Sequence, residues 1–204
     1  MPDPNEPKSV AEIREISYSS FDELKAAIAK DEVRIGTARD LARQWLTSRA
    51  RFAPPGPSKV CMILLCIPYI VILALLIAPY LIGRPWMLIF VPLTVVAMFA
   101  FHPTGLVIMP FMRMLVWAAW VGLWFGVSQA IPWLTVGSLV VLIPRYSLGA
   151  AYGYAQKVLT REALRNENIF VFAYQRHAVM LQFPASGEIV SAPYRRENGA
   201  STGG

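Results

Sequence analysis

Residues 60–82 read VCMILLCIPYIVILALLIAPYLI, a run of 23 residues without a charged side chain. A helix of this length reaches about 35 Å at 1.5 Å per residue, which is longer than the roughly 30 Å hydrocarbon core of a bilayer. The core helices of soluble proteins are usually shorter or carry a polar face. The run therefore predicts a transmembrane helix.

Three further apolar segments follow, at about 86–101, 106–127 and 131–155. The second has 16 residues and would reach only about 24 Å as a helix, which is short for a bilayer core. It either crosses a thinned bilayer or forms, with the third segment, a re-entrant hairpin over 86–127. We expect four crossings, with two crossings and a re-entrant hairpin as the alternative.

The basic residues predict the orientation. They precede the first span and follow the fourth, whereas the first and third connections contain only Arg84. Positively charged flanks stay on the cytoplasmic side, so both termini are expected there. The fold class that follows is an all-α membrane bundle of four transmembrane helices with small cytoplasmic extensions. Prolines inside the helices predict kinks. Eight prolines lie in the spans or their turns: Pro68, Pro79, Pro85, Pro92, Pro103, Pro110, Pro132 and Pro144.

The N-terminal flank, residues 10–58, is predicted to be a cytoplasmic, largely helical region after a disordered lead over 1–9. Residues 12–18 could form a short strand. Ser20 is a candidate N-cap for a helix through Lys30, with acidic residues in its first turn.

A second helix is expected from a Thr37 cap to about Arg51, ending before the prolines at 54–57. Its pattern is basic and amphipathic, with Arg39, Arg43, Trp45 and Arg49 as candidate membrane-surface residues. The helix would either lie in the membrane interface or pack on the small domain before it.

The C-terminal flank, residues 157–197, is expected to continue the last helix and then form a β-hairpin or meander on the cytoplasmic side. The candidate strands are 169–174, 178–183 and 188–191. The sequence Pro-Ala-Ser-Gly at 184–187 is the best turn signal. A disordered tail is expected over 198–204.

The membrane region contains no acidic residue, since neither Asp nor Glu occurs between Leu41 and Arg161. No carboxylate is therefore present there to carry a proton, coordinate a metal or bind a cation. Phosphate-binding glycine loops and hydrolase motifs are also missing. We expect no catalytic residue, no metal, no cofactor and no nucleic-acid partner, because lipid headgroups explain the net charge of +6 more simply.

Arg113 and Arg145 stand out because an ionisable residue in a span is a functional hypothesis by default. Both are predicted near the cytoplasmic ends of their helices, where they could extend to lipid phosphates. The alternative is an inward-facing anion or partner site that both arginines form together.

Two pairs of glycines are four residues apart and are candidate helix-packing positions: Gly122 with Gly126, and Gly149 with Gly153. We expect packing within the bundle, with dimerisation as the alternative. Trp117, Trp120 and Trp124 share one helix face and are expected to contact lipid or a partner.

These features favour a multi-pass protein of a bacterial inner membrane with a non-catalytic accessory, assembly or scaffolding role. The expected partners are anionic headgroups on the cytoplasmic side, and a cytoplasmic protein, a membrane protein or further copies of the chain. The alternative is an oligomeric anion channel or exporter that uses Arg113 and Arg145.

Overall fold

The computed structural model describes residues 9–13, 16, 18–48, 52–100 and 109–192, and gives the backbone alone at 99–100 and 109–113. Except for Ser9, the predicted disordered lead and tail lie outside these residues. The chain divides into two compact units. Unit 1 comprises Met1–Ala42 with Gln156–Gly204, and unit 2 comprises Arg43–Ala155.

The protein is mostly helical, with one small three-stranded antiparallel sheet. The helices are α1 (Phe21–Ala29), α2 (Arg39–Thr47), α3 (Pro55–Ile82), α4 (Phe90–Ala100), α5 (Met109–Ser128), α6 (Pro132–Arg165) and α7 (Glu167–Gln175). The strands are β1 (Arg34–Thr37), β2 (Val179–Phe183) and β3 (Glu188–Val190), and short 3-10 helices form at Val10–Glu12 and Pro85–Ile89.

Helix α3 contains the whole apolar run that dominates the sequence. It begins with Pro55 in its first turn, where a backbone N–H would have no partner within the helix, so its absence from proline costs nothing. The helix continues through Pro68 and Pro79. It ends at Gly83, whose φ of 69° is left-handed and whose N–H donates to the carbonyl of Pro79. As expected, α2 ends before the prolines at 54–57, and Pro55 and Pro57 lie in the first turn of α3.

The other apolar segments are helical over different lengths. The second forms a 3-10 helix followed by α4, and the third forms α5, while residues 101–108 lie outside the described residues. Helix α6 runs through Pro144 without a break. Among the described residues, α3 and α6 are long and apolar enough to cross a membrane. The four-span bundle is therefore not confirmed.

Helices of unit 2 share one apolar core. Leu75 of α3, Ala119 of α5 and three consecutive residues of α6, Val140, Val141 and Leu142, are buried together. Phe90 of α4 packs against this cluster. Many large apolar side chains of these helices are exposed outside this core.

Unit 1 is formed by both ends of the chain. Strand β2, from the C-terminal flank, is the central strand, with β1 of the N-terminal flank on one side and β3 on the other. Ile35 pairs with Leu181, and Leu181 also pairs with Val190. The expected C-terminal hairpin is confirmed as β2 and β3, whose turn ends at Gly187 with a φ of 71°.

Three local predictions for unit 1 were wrong. Residues 169–174 form α7 rather than a strand, because apolar residues face the core on all sides of this helix and leave no helical periodicity in the sequence. Thr37 belongs to β1, and α2 begins at Arg39. No strand forms in the described part of 12–18, and its first residue, Glu12, is the last residue of a 3-10 helix.

The predicted cap of α1 is confirmed. The Ser20 hydroxyl accepts a hydrogen bond from the N–H of Glu23 at 3.2 Å. The Glu23 carboxylate in turn accepts from the N–H and the hydroxyl of Ser19, at 2.8 and 2.7 Å. This reciprocal arrangement satisfies donors that the helix itself leaves unpaired.

We predict that Phe170→Ala destabilises unit 1 by about 3–5 kcal/mol, because the ring is fully buried and lies 5.9 Å from Phe21 and 6.1 Å from Tyr174. Hydrogen exchange of the β2 amides in detergent measures the change. Ile189→Ala is the control, because Ile189 is 60% exposed and should shift stability by less than about 0.5 kcal/mol. Equal protection in the two variants would contradict the proposed core.

The cap of α1 should also depend on pH. Hydrogen bonds from Ser19 lower the pKa of Glu23 below its ordinary value of 4.5. Since the folded pKa is the lower one, the stabilisation is complete above the ordinary value and is lost as the pH falls through the lowered pKa. The protection factors of the α1 amides, which correct for the intrinsic pH dependence of exchange, should fall over this range in the native chain but not in Glu23→Gln. Identical pH profiles would exclude this role of Glu23.

Candidate membrane-facing site

Helix α3 exposes most of its apolar surface. Only 17% of its most apolar 18-residue window is buried, compared with 44% for α6. Leu81 and Tyr80 are each 80% exposed, and Ile63 is 62% exposed. A contiguous apolar surface of this extent is unfavourable in water, and a helix satisfies its own backbone groups in lipid.

An aromatic face covers α5. Trp117 and Trp124 are 72% and 75% exposed, and Trp120 between them is 46% exposed. The Trp120 indole N–H donates to the hydroxyl of Tyr146 on α6 at 2.9 Å, with the two rings nearly perpendicular. Tyr146 did not stand out in the sequence, because its partner lies 26 residues away and no local pattern joins them.

The two glycines of α5 mark the place where α5 and α6 approach closely. A Cβ atom on Gly126 would lie 2.7 Å from the backbone nitrogen of Thr135, and one on Gly122 would lie 2.7 Å from the hydroxyl of Ser138. Both distances are too short for any side chain. The hydroxyls of Thr135 and Ser138 donate to carbonyls one turn back, so these polar groups are satisfied at the contact.

The two glycines of α6 have different surroundings. A Cβ atom on Gly153 would meet nothing within 4 Å among the described residues. A Cβ atom on Gly149 would meet only the Nη1 atom of Arg145, at 3.2 Å. A Cβ atom at either position of the second pair would therefore meet no other helix in the described part of the chain.

Arg145 is exposed on α6, and its guanidinium extends toward Gly149, one turn nearer the C-terminal end of the helix. Helical side chains usually point toward the N-terminus, so this reach depends on the missing side chain at Gly149. The side chain of Arg113 lies outside the described residues. Whether both arginines face one site therefore stays a prediction.

Helix α2 buries the residue that was expected to anchor it in the interface. Trp45 is 6% exposed, so its ring lies inside the protein, whereas Arg39 is exposed. The Arg43 guanidinium lies over the ring of Tyr152 at 5.2 Å. The contact of Arg43 with Tyr152 lies within unit 2, so it does not decide between the membrane interface and the small domain before α2. Arg49 lies outside the described residues.

The hydroxyl of Ser58, at the start of α3, donates to the carbonyl of Leu46 at 2.7 Å and thereby caps the end of α2. The Nε1 of Trp45 and the Nε of Arg43 are buried, and neither has a hydrogen-bond partner in the described part of the chain.

Metal-ligating side chains do not gather in the residues that the structure describes, where no group of three or more His, Cys, Asp or Glu is found. Cys61 is buried and Cys66 is exposed, and both are free thiols. His177 lies in the turn before β2, and His102 lies outside the described residues.

Comparisons with protein-family models, with curated proteins and with solved structures find no match for this chain. The interpretation of its function therefore depends on its own residues.

We predict that Gly126→Ala destabilises unit 2 by about 1–3 kcal/mol, because the new methyl group would meet backbone atoms of Thr135 that cannot move without separating the helices. Gly153→Ala is the matched control. It meets nothing and should be neutral or stabilising by up to about 1 kcal/mol through helix propensity. Thermal unfolding in detergent, followed by tryptophan fluorescence, compares the two. Equal stability of both variants would contradict the close α5–α6 contact.

Proposed function

We propose that this chain is a multi-pass membrane protein with a non-catalytic accessory or scaffolding role, and that it presents both of its flanks to a protein partner on the cytoplasmic side. The observation that carries the proposal is the pairing of β1 with β2 in one sheet. These strands belong to opposite ends of the chain, with the whole apolar region between them.

The β1–β2 pair implies that both flanks lie on the same side of any membrane the chain crosses. An even number of crossings follows. If α3 and α6 both span, then α4 and α5 either both cross or both stay on one side. We favour four crossings, because Met114–Ser128 of α5 is apolar and exposes Trp117 and Trp124 as a lipid-facing surface would.

The cytoplasm is the side that the charges favour. Basic residues surround the apolar region at its two ends, whereas the turn between α3 and α4 carries only Arg84 and the turn between α5 and α6 carries none. The same asymmetry fits a bacterial inner membrane. Anionic headgroups in the cytoplasmic leaflet would then contact the basic flanks.

The scaffolding role is supported by where the folded mass of the chain lies. Outside the apolar helices, the described residues form one unit with its own core and an exposed sheet edge at β3, where Ile189 is 60% exposed. The turns at Gly83–Arg84 and Gln129–Ala130 are short by comparison. A partner would therefore bind unit 1 or bind laterally in the bilayer.

Topology can be tested by labelling single cysteines with a membrane-impermeant maleimide, after Cys61 and Cys66 have been replaced by Ser. We expect Gln129→Cys to react in intact cells, and Glu32→Cys and Ser186→Cys to react only after lysis. The proposal would be contradicted if one of Glu32→Cys and Ser186→Cys reacted in intact cells and the other reacted only after lysis.

Thr104→Cys distinguishes the two even topologies. Four crossings place position 104 at the cytoplasmic surface, where it reacts after lysis. A re-entrant hairpin over 86–127 places it within the membrane, where it resists the reagent under both conditions. The second result would replace the four-span topology and leave the location of the flanks unchanged.

The partner can be tested by quantitative co-purification from native membranes in mild detergent. Deleting the residues after Arg165 is not informative, because it removes the central strand of the sheet. Ile189→Asp changes the exposed edge instead, and Arg84→Gln at the opposite turn is the control. We expect a stoichiometric partner with the native chain and with Arg84→Gln, and its loss with Ile189→Asp. Elution of the native chain as a single copy alone would exclude the role.

A further inference from the structure

The last turns of α6 carry a basic face, which consists of Lys157, Arg161 and Arg165. These residues are four apart, so each one lies about 6 Å further along the helix and only about 40° further around it. All three are exposed, whereas Leu159 and Ala163 between them are fully buried. The three charges therefore lie on the side of α6 that is turned away from the protein interior.

Two of these cations share one carboxylate. The Oε1 atom of Glu162 lies 3.2 Å from the Nε atom of Arg161 and 3.8 Å from the Nη1 atom of Arg165. The side chain of Glu162 is only 19% exposed, whereas those of Arg161 and Arg165 are 55% and 68% exposed. Two guanidiniums that converge on one carboxylate keep one uncompensated positive charge between them. A second carboxylate can approach both of them from the exposed side.

The length of the basic face favours a protein over lipid headgroups. From Lys157 to Arg165 the face extends about 12 Å along α6. The headgroup layer on each side of a bilayer is roughly 5–8 Å thick, because a membrane of about 40–45 Å contains a hydrocarbon core of about 30 Å. If α6 crosses the membrane as proposed, one headgroup layer cannot cover the whole face.

Nucleic acid is disfavoured by the charge around the basic face. All 13 acidic residues of the chain belong to unit 1, which also contains this face. Nucleic acids bind through many Lys and Arg contacts to successive phosphates, and nearby carboxylates repel them. A short acidic segment of a protein needs only carboxylates that match the spacing of the three cations.

We propose that the basic face of α6 binds an acidic helix of a cytoplasmic partner protein, in which Asp or Glu residues are four positions apart. One partner carboxylate lies between Arg161 and Arg165, and another pairs with Lys157 one turn earlier. The four-residue spacing gives the partner helix the same step of about 6 Å. The inference rests on the proposed function, in which unit 1 lies in the cytoplasm, and it names the chemistry of the partner.

A synthetic peptide tests the basic face on the purified full chain in detergent at low salt. The probe is a fluorescent alanine-rich helix of about 20 residues with three Glu residues four positions apart. The reference peptide has the same composition, with the Glu residues on three different faces. We expect the native chain to bind the probe about fivefold more tightly, because exposed ion pairs each contribute little and add up only when they form together. Equal anisotropy curves for the two peptides would contradict the proposal.

Three variants separate the charges of the basic face from its structure. Arg161→Gln combined with Arg165→Gln should abolish the preference for the probe. Glu162→Gln should bind the probe about twofold more tightly or better, because it removes the competing carboxylate, and a merely structural role of this region would not increase affinity. Arg34→Gln is the matched control, because Arg34 is an exposed cation of the same unit that is paired with Asp31 at 2.7 Å.

The preference should survive in Arg34→Gln. Its persistence in the double variant, its equal loss in Arg34→Gln, or weaker binding to Glu162→Gln would each overturn the assignment of the basic face.

Lipid and RNA competitors identify the other occupants. If phosphatidylglycerol displaces the probe and phosphatidylcholine does not, the basic face is a headgroup site and the protein assignment is wrong. Tighter binding of single-stranded oligouridine than of the probe, lost in the double variant, would also exclude it.

Failure of the proposed function looks different from failure of this inference. Cysteine labelling of the two flanks from opposite sides would refute the topology, whatever the peptide does. A stoichiometric partner that co-purifies with the double variant as it does with the native chain would leave the scaffolding role intact and contradict the basic face alone.

Discussion

The antiparallel pairing of β1 with β2 is the constraint on which the rest of the account depends. It joins residues 34–37 to residues 179–183, and all of the apolar segments lie between them. Strands that lie on opposite sides of a bilayer cannot pair, so a chain that contains this pair and crosses a membrane must return to the side from which it started. In the proposed topology, the even number of crossings and the placement of both flanks on one side follow from this ladder of hydrogen bonds.

The exposed apolar surface of α3 is the second feature on which the proposed membrane location depends. Helices of this length occur in soluble cores, where they are mostly covered, but α3 leaves large residues such as Ile70 and Leu81 exposed along its length. In lipid the association of helices depends on packing rather than on the removal of apolar surface from water. The close approach of α5 and α6 at Gly122 and Gly126 supplies such packing, and the satisfied hydroxyls of Thr135 and Ser138 leave no polar group without a partner there.

Sequence reasoning succeeded where one local signal was sufficient. The apolar run at 60–82 predicted α3, Ser20 predicted the start of α1, and the turn at 184–187 predicted the β2–β3 hairpin. It failed where tertiary contacts decide. β1 is a four-residue strand that forms only because β2 is beside it, and α7 is buried on so many sides that its sequence lacks helical periodicity.

Arg145 could be identified as a candidate from sequence, but the direction in which its side chain extends could not. That direction depends on the space over Gly149, and the link from Trp120 to Tyr146 depends on the approach of two helices.

The most direct test of the account is a disulfide cross-link across the β1–β2 pair in native membranes. Arg34 and Gln182 are opposite each other in the register, and residues directly opposite in an antiparallel pair lie within the range of Cα separations that a disulfide accepts. With Cys61 and Cys66 replaced by Ser, oxidation of the Arg34→Cys, Gln182→Cys variant in isolated membranes should form an internal disulfide in nearly every copy. A variant with each cysteine accessible to a small maleimide but no cross-link between them would contradict the joined flanks, and with them the even number of crossings.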